Sequence, residues 1–130
     1  MSSNTEAVKA IYAAFGEGRI GDIVAKIADQ TTFIQPGGPD IPWAGTYRSP
    51  AEVNGFFGKL DAAVAVSEFT PEQYLESGDT VVAIGRWAGK AKSTGKPYAS
   101  TWAMTWKFRD GKVSFYEAYE DTDVIAAAFR

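Results

Sequence analysis

Residues Gln35 to Pro50 read QPGGPDIPWAGTYRSP, a segment with four prolines, three glycines and two large aromatic residues, Trp43 and Tyr47. Prolines restrict the unfolded chain, so these aromatic side chains become ordered on folding at little entropic cost. A stiff aromatic loop can shield an apolar ligand from water. We therefore interpret the segment either as the rim of a ligand pocket or as a plug in which Trp43 belongs to the core.

Two helices and a short strand are predicted before this segment. From residue 8, apolar residues recur at i, i+3, i+4 and i+7, which is the spacing of one helix face. GDIVAKIAD, residues 21–29, predicts a second short helix. TTFIQ, residues 31–35, predicts a strand because it is rich in β-branched and aromatic residues. The inner face of the first helix comprises Val8, Ile11, Tyr12 and Phe15.

A third helix is predicted to begin where the proline-rich segment ends. Ser49 is a favourable N-cap, Pro50 suits the first helical position, and Glu52 completes a capping box three residues after the serine. The apolar residues behind this start fall on one helix face. They are Val53, Phe56, Phe57, Leu60 and Val64.

From about residue 67 the sequence predicts four strands followed by a short closing helix. The Asp110-Gly111 pair between alternating segments favours a hairpin. In the strand before it, Trp102, Met104, Trp106 and Phe108 share the face expected to be buried, either as core or as the wall of a cavity. Helices followed by antiparallel strands predict an α+β fold with helices packed on one face of a curved sheet.

The composition excludes several classes of function. The formal net charge is −3 and no basic block is present, so we expect no nucleic-acid partner. The chain contains no Cys and no His, which removes thiol nucleophiles and the commonest transition-metal ligand, so we expect no metal and no other cofactor. No apolar run reaches the ~20 residues of a membrane span, and the N-terminus does not resemble a signal peptide. We expect one cytoplasmic domain, residues 1–130, without a membrane partner.

Several segments carry a resemblance to a known family. YAAFGEGRIGDIVAKIAD, PGGPDIPWAGTYRSPAEVNGFF, GDTVVAIGR and FRDGKV, in this order, resemble the SnoaL-like polyketide cyclases and ketosteroid isomerase relatives of the nuclear transport factor 2-like superfamily. The resemblance implies a cone-shaped barrel in which three N-terminal helices close over a curved, mostly antiparallel sheet. It also implies a pocket for a small apolar molecule and a homodimer formed through the outer sheet face, where Thr101, Ala103 and Thr105 lie.

The resemblance carries over to this chain at few polar positions. Tyr12 matches the helix tyrosine that donates a hydrogen bond to the substrate carbonyl in the ketosteroid isomerase relatives. The base of those enzymes aligns with Gln35, and their second proton donor aligns with Met104. In the cyclases an acid on the last strand aligns with Ala118. A neutral amide cannot take a proton from carbon, so Gln35 is expected to position the substrate. The base must then be another residue.

Glu120 and Asp40 are the candidate bases, and Glu120 is the one we include with Tyr12 and Gln35 as the expected catalytic residues. Arg86 either shares an inner face with Val82 and Ile84 and pairs with Glu120, or points outward into solvent. The expected substrate-binding residues are Phe15, Trp43, Phe56, Phe57, Val82, Ile84, Arg86, Trp102, Met104, Trp106 and Tyr116.

Three functions remain open from the sequence. The first is a cyclase-type or isomerase-type enzyme acting on a carbonyl-bearing small molecule with a reduced set of the usual catalytic groups. The second is a non-catalytic binding protein for an apolar small molecule, which the loss of the usual acids favours. The third is a dimerisation or assembly domain, which a solidly packed interior around Met104 and Trp106 would favour.

Overall fold

The computed structural model describes residues 3–130, which form four helices and six strands and confirm the α+β class. None of the helices in this range is long and apolar enough to cross a membrane. The helices are α1 (Ser3–Gly16), α2 (Ile20–Val24), α3 (Pro50–Ala63) and α4 (Thr122–Ala128). The strands are β1 (Ile27–Gln35), β2 (Gly45–Tyr47), β3 (Val64–Ser77), β4 (Thr80–Ala91), β5 (Pro97–Arg109) and β6 (Lys112–Glu120).

The strands form a single mixed sheet in the order β2-β1-β6-β5-β4-β3. Neighbouring strands are antiparallel except β1 and β6, which are parallel. The sheet is therefore mixed, with one parallel pair in a mostly antiparallel arrangement. The expected arrangement of three N-terminal helices also needs correction. Only α1 and α2 precede the sheet, α3 follows β1 and β2, and α4 ends the chain.

The second helix is shorter than the sequence pattern predicts. The pattern predicts a helix over residues 21–29, but α2 ends at Val24 and β1 begins at Ile27. Ile27 pairs with Val113 of β6, and the Val113 amide donates to the Lys26 carbonyl at 2.8 Å. Pairing with a distant strand therefore outweighs the local helical pattern, as is common for short apolar runs.

The start of α3 has the predicted Ser49 cap, but the Glu52 side chain bonds to the residue before the N-cap instead of to the N-cap itself. The Glu52 amide donates to the Ser49 hydroxyl at 3.2 Å, and Pro50 is the first helical residue. In return, the Glu52 carboxylate accepts a hydrogen bond from the Arg48 amide at 2.8 Å. This cap fixes where the proline-rich loop becomes helix, and it directs Val53, Phe56 and Leu60 into the core.

The strand β5 has the face assignment that its sequence predicts. Trp102, Trp106 and Phe108 are buried on the inner face, which is the face covered by the helices, and Met104 is half-buried there. The predicted Asp110-Gly111 hairpin joins β5 to β6, and both residues have positive φ values of 53° and 77°. Those values suit a two-residue hairpin turn.

The strand β4 has Arg86 pointing outward, which is the second of the two orientations that the sequence leaves open, so the expected inner face of Val82, Ile84 and Arg86 is wrong. Its buried residues are Val81, Ala83, Gly85, Trp87, Gly89 and Ala91. Val82, Ile84 and Arg86 therefore lie on the outer face. This orientation leaves room for the large side chains of β5, because a Cβ added to Gly85 would lie 2.6 Å from the Trp102 ring.

Candidate functional site

A small cavity lies between the inner sheet face and the helices α1, α2 and α3. Its volume is about 60 Å³, which is the space of about two water molecules and well below the ~150 Å³ of a cavity that holds benzene. Its wall is mostly aromatic and aliphatic, with four polar side chains. The lining residues are Ile11, Tyr12, Phe15, Ile23, Phe33, Gln35, Trp43, Phe56, Phe57, Leu60, Phe69, Trp87, Met104, Trp106, Tyr116 and Glu120.

Tyr12 presents its hydroxyl to this cavity from the inner face of α1. The Trp106 indole N–H donates to the hydroxyl oxygen at 2.9 Å, and the hydroxyl donates to the Met104 sulfur at 3.2 Å. Burial raises the pKa of Tyr12 far above its ordinary value. A thioether is a weak acceptor, so the Tyr12 hydroxyl is a neutral donor that a better acceptor can recruit.

Gln35 and Tyr116 form a second polar pair in the wall. Gln35 is the last residue of β1 and is only 7% exposed, and its side-chain amide donates to the Tyr116 hydroxyl at 3.1 Å. Burial also raises the pKa of Tyr116 well above its ordinary value. The Tyr116 phenol therefore stays neutral in the folded protein, and the Gln35 amide does not ionise.

Glu120 supplies the carboxyl group of the cavity. It is the last residue of β6, and one of its oxygens accepts a hydrogen bond from the Trp87 indole N–H at 3.0 Å. Burial raises the pKa of Glu120 to about 7, and the hydrogen bond from Trp87 opposes that rise in part. The carboxyl can therefore both accept and return a proton near neutral pH.

The proline-rich segment closes the end of the cavity. Trp43 is 1% exposed, contacts Trp87 and Phe129 edge to face, and its carbonyl accepts a hydrogen bond from the Tyr47 hydroxyl at 2.7 Å. Trp43 is therefore part of the core, as the plug interpretation expects, and its ring also lines the cavity. Asp40, the other candidate base, is exposed and pairs with Arg130 at 2.9 Å outside it.

Comparison with known proteins places the chain in a family. A model of the SnoaL-like domain matches residues 8–126. The chain belongs to the SnoaL-like family. This match confirms the resemblance noted in the sequence over nearly the whole length of the chain.

Solved structures of the nuclear transport factor 2-like fold agree with this assignment. Such a protein from Burkholderia xenovorans LB400 is 29% identical to the SnoaL-like chain described here, with a TM-score of 0.90 over 100% of this chain and 98% of that one. TerC, co-crystallised with polyporic acid, is 25% identical, with a TM-score of 0.87 over 98% of both chains. A candidate isomerase from Bacillus subtilis is 21% identical, with a TM-score of 0.82 over 98% and 93%, and is similar in fold. No curated protein matches the chain.

Four of the residues expected to bind substrate do not line the cavity of this SnoaL-like protein. Val82, Ile84 and Arg86 are on the outer face of β4, where Arg86 pairs with Glu68 at 3.0 Å instead of Glu120. Trp102 is on the inner face but does not line the cavity, and its ring stacks against Phe69 at a centroid distance of 5.0 Å. The other expected residues do line it: Phe15, Trp43, Phe56, Phe57, Met104, Trp106 and Tyr116, together with Tyr12, Gln35 and Glu120.

Sequence reasoning missed several lining residues, of which Trp87 matters most because it holds Glu120. The alternation of β4 contained the signal, since Trp87 shares a face with Val81 and Ala83. The other positions of that face carry mostly small residues, so the pattern indicates it only weakly. Ile11, Leu60, Ile23, Phe33 and Phe69 also line the cavity without having been assigned to a site.

A much larger open groove adjoins the cavity. It has a volume of about 1110 Å³ and lies between α1, α3 and the first half of β3. The cavity and the groove share the side chains that lie between them. The shared residues are Tyr12, Phe15, Phe57, Leu60 and Phe69.

Proposed function

We propose that this SnoaL-like protein is an acid–base enzyme of the isomerase or cyclase type, acting on a carbonyl-bearing, largely apolar small molecule. The observation that supports it most is Glu120, a carboxyl with a pKa of about 7 in an aromatic cavity that also holds a tyrosine hydroxyl donor. A base is most effective when its pKa is near the working pH.

Isomerisation of a β,γ-unsaturated ketone illustrates the chemistry that these groups can perform. The Glu120 carboxylate removes a proton from the carbon between the carbonyl and the double bond. The electron pair moves onto the carbonyl oxygen, and the resulting dienolate oxygen accepts the Tyr12 hydrogen bond. The protonated Glu120 then returns the proton to the far carbon of the former double bond. The conjugated ketone leaves, and the carboxylate is regenerated.

The volumes suggest how a substrate would be held. The cavity of about 60 Å³ is too small for a ring such as cyclohexenone, so a substrate must occupy it together with part of the groove of about 1110 Å³. Entry then requires the rings of Phe15, Phe57 and Phe69 to move apart. Each of these rings is half-buried, so such a movement exposes less core than displacing Trp43 would. The crystal structure of TerC co-crystallised with polyporic acid supports small-molecule binding by this fold.

Non-catalytic binding is the second candidate, and a specific observation favours it. The positions where family enzymes carry a base, a second donor and a last-strand acid hold Gln35, Met104 and Ala118. A protein that uses only its apolar cavity and its tyrosine hydroxyl would bind ketones without converting them. The assembly-domain alternative has less support, because a cavity remains beside Met104 and Trp106.

The test is conversion of cyclohex-3-en-1-one, followed by the ultraviolet absorbance of the conjugated product. Wild type should accelerate conversion, and Glu120→Gln should lose roughly 10²–10⁴-fold of that rate. Glu117→Gln, which removes a carboxyl from the opposite face of β6, is the matched control and should keep the wild-type rate. Ketone binding without turnover would support the non-catalytic candidate, and equal rates in wild type and Glu120→Gln would remove Glu120 as the base.

We also propose that the protein is a homodimer formed through the outer sheet face. That face includes the half-buried Val82, Ile84, Ala103 and Thr105. Leu75 and Tyr119 beside them are 50% and 52% exposed. Large apolar side chains grouped on an open sheet face favour a protein contact over exposure to solvent.

A further inference from the structure

The ring of Tyr116 is closely packed in the cavity wall. Tyr116 is on the inner face of β6 and is 2% exposed. Its ring stacks on Phe33 at a centroid distance of 4.1 Å and meets the edge of Trp106 at 4.5 Å. Two neighbouring rings therefore fix where its hydroxyl lies, which is the property required of a preorganised donor.

The hydrogen-bond direction at this hydroxyl leaves its proton available. Gln35 donates to the hydroxyl oxygen of Tyr116 through its side-chain nitrogen. Among the described residues, no acceptor receives the Tyr116 hydroxyl hydrogen. An N–H donor that occupies one side of a phenol oxygen turns the O–H away from itself. The arrangement therefore orients a neutral O–H group at the surface of the cavity.

Tyr12 has the same arrangement on the other side of Trp106. Its hydroxyl oxygen accepts from the Trp106 indole N–H, and its hydrogen is given only to the Met104 sulfur. The Trp106 ring contacts both phenols, with centroid distances of 5.8 Å to Tyr12 and 4.5 Å to Tyr116. Two phenol donors whose oxygens are each held by an N–H group thus line one small cavity.

We propose that Tyr116 is a second hydrogen-bond donor to the carbonyl oxygen of the substrate, and that Gln35 is the residue that positions it. The inference rests on the proposed function, because it assigns these residues to the same carbonyl-binding site. Tyr116 would supply the interaction that Met104 cannot, since a thioether has no proton to donate. Gln35, which cannot be a base, gains a role through Tyr116.

A matched pair of small ligands isolates this hydrogen bond from hydrophobic contact. Cyclopentanone has a carbonyl oxygen, and methylenecyclopentane has a CH₂ group of similar shape at the same place. Binding of each is followed by the ¹⁵N–¹H signal of the Trp106 indole, which is bonded to Tyr12 inside the cavity. The ratio of the two affinities measures the contribution of the donors and is insensitive to general changes in packing.

The expected result is a wild-type preference for the ketone that Tyr116→Phe lowers by roughly threefold to tenfold, the usual effect of one neutral hydrogen bond. Phenylalanine keeps the ring that stacks on Phe33. Gln35→Met should lower the preference less, and it should have no further effect in the Tyr116→Phe background, because a positioning residue acts only through its partner. Tyr12→Phe should lower the preference independently.

Each remaining outcome contradicts a defined part of the proposal. If Tyr12→Phe lowers the preference and Tyr116→Phe does not, the carbonyl site stands and the role of Tyr116 is wrong. If Gln35→Met acts equally in both backgrounds, Gln35 contacts the ligand itself and does not position Tyr116. If wild type binds ketone and alkene equally well, the carbonyl site and the proposed function fail together. If Tyr116→Phe folds poorly, the Gln35→Met single variant still tests the proposal, because an unchanged preference for the ketone would contradict the positioning role of Gln35.

Discussion

Two features of the Glu120 environment have opposite effects on the pKa of its carboxyl group. Its carboxyl is largely removed from water, which disfavours the charged form, yet it accepts a hydrogen bond from Trp87, which favours that form. The balance raises its pKa to about 7. A residue held in this way costs stability whenever it is ionised, and that cost is expected where a charge has a chemical use.

The stability of the protein should therefore depend on pH through Glu120. Between pH 4.5 and about 7 the folded state keeps a proton that the unfolded state releases, so stability falls as pH rises and then levels off. A tenfold change in proton affinity corresponds to about 1.4 kcal/mol, so the full effect is about 3 kcal/mol. Glu120→Gln cannot ionise and should escape this loss.

Urea unfolding at several pH values measures that difference. Glu120→Gln should match wild type near pH 4 and exceed its free energy of unfolding by up to about 3 kcal/mol at pH 8. Glu117→Gln controls for the loss of one negative charge from the same strand. A difference between Glu120→Gln and wild type that stays constant from pH 4 to pH 8 would show that burial does not raise the Glu120 pKa.

At the scale of elements, β4 shows how one strand accommodates bulky neighbours. Gly85 leaves room for the Trp102 ring, and Gly89 leaves room for the Tyr98 hydroxyl. Because these inner positions are empty of side chains, the large rings of β5 pack directly on the β4 backbone. The face of β4 is therefore determined by β5 more than by its own sequence.

Gly85→Ala should destabilise the protein. The new Cβ would lie 2.4 Å from the Thr70 carbonyl oxygen and 2.9 Å from the Pro71 Cα, and backbone cannot move aside easily. Overpacking of this kind costs about 1–3 kcal/mol. The control is Gly58→Ala on the exposed side of α3, where nothing lies within 4 Å. It should instead stabilise by about 0.5–1 kcal/mol, because alanine is the better helix former. Thermal unfolding of both variants decides the matter, and equal melting temperatures would contradict the packing argument.

The elements were predictable to different extents for physical reasons. The capping residues Ser49 and Glu52 specify the start of α3 locally, so the sequence was sufficient there. The alternation of β5 was also sufficient, because its two faces differ strongly in size and polarity. The limits of α2 were not predictable, since the pairing of Ile27 with Val113 joins residues distant in the chain.

The candidate site was predictable where chemistry left few choices. With no His and no Cys in the chain, elimination left Glu120 and Asp40 as bases, and only burial separates them. The contact between Trp87 and Glu120 joins β4 to β6 and has no counterpart in the sequence pattern. The same limit applies to the orientation of Arg86. This residue pairs with acidic residues of β3, and the sequence of neither strand alone indicates that pairing.

Across the molecule, the two faces of the sheet differ in what covers them within this chain. The inner face and the helices enclose the cavity, while the outer face carries exposed apolar residues. In the arrangement that we propose, a partner covers the outer face and leaves the groove between α1 and α3 open. Dimerisation would then not obstruct entry to the cavity.

Sedimentation velocity at micromolar concentration tests the dimer. Wild type should sediment as a species of twice the 14.0 kDa chain mass. Ile84→Glu adds a charge to the centre of the outer face and should give a monomer that remains folded. Ala10→Glu adds the same charge to the exposed side of α1 and should leave the dimer intact. A wild-type protein that sediments only as the single chain would exclude the proposed interface.

The most direct test of the acid–base proposal is the pH dependence of kcat/KM for cyclohex-3-en-1-one with the wild-type protein. A general base must be ionised in the free enzyme. We therefore predict that kcat/KM rises about tenfold for each pH unit below pH 7 and reaches a plateau above it, following the Glu120 pKa of about 7. A profile that is flat from pH 5 to pH 9, or one that falls as pH rises, would contradict Glu120 as the base.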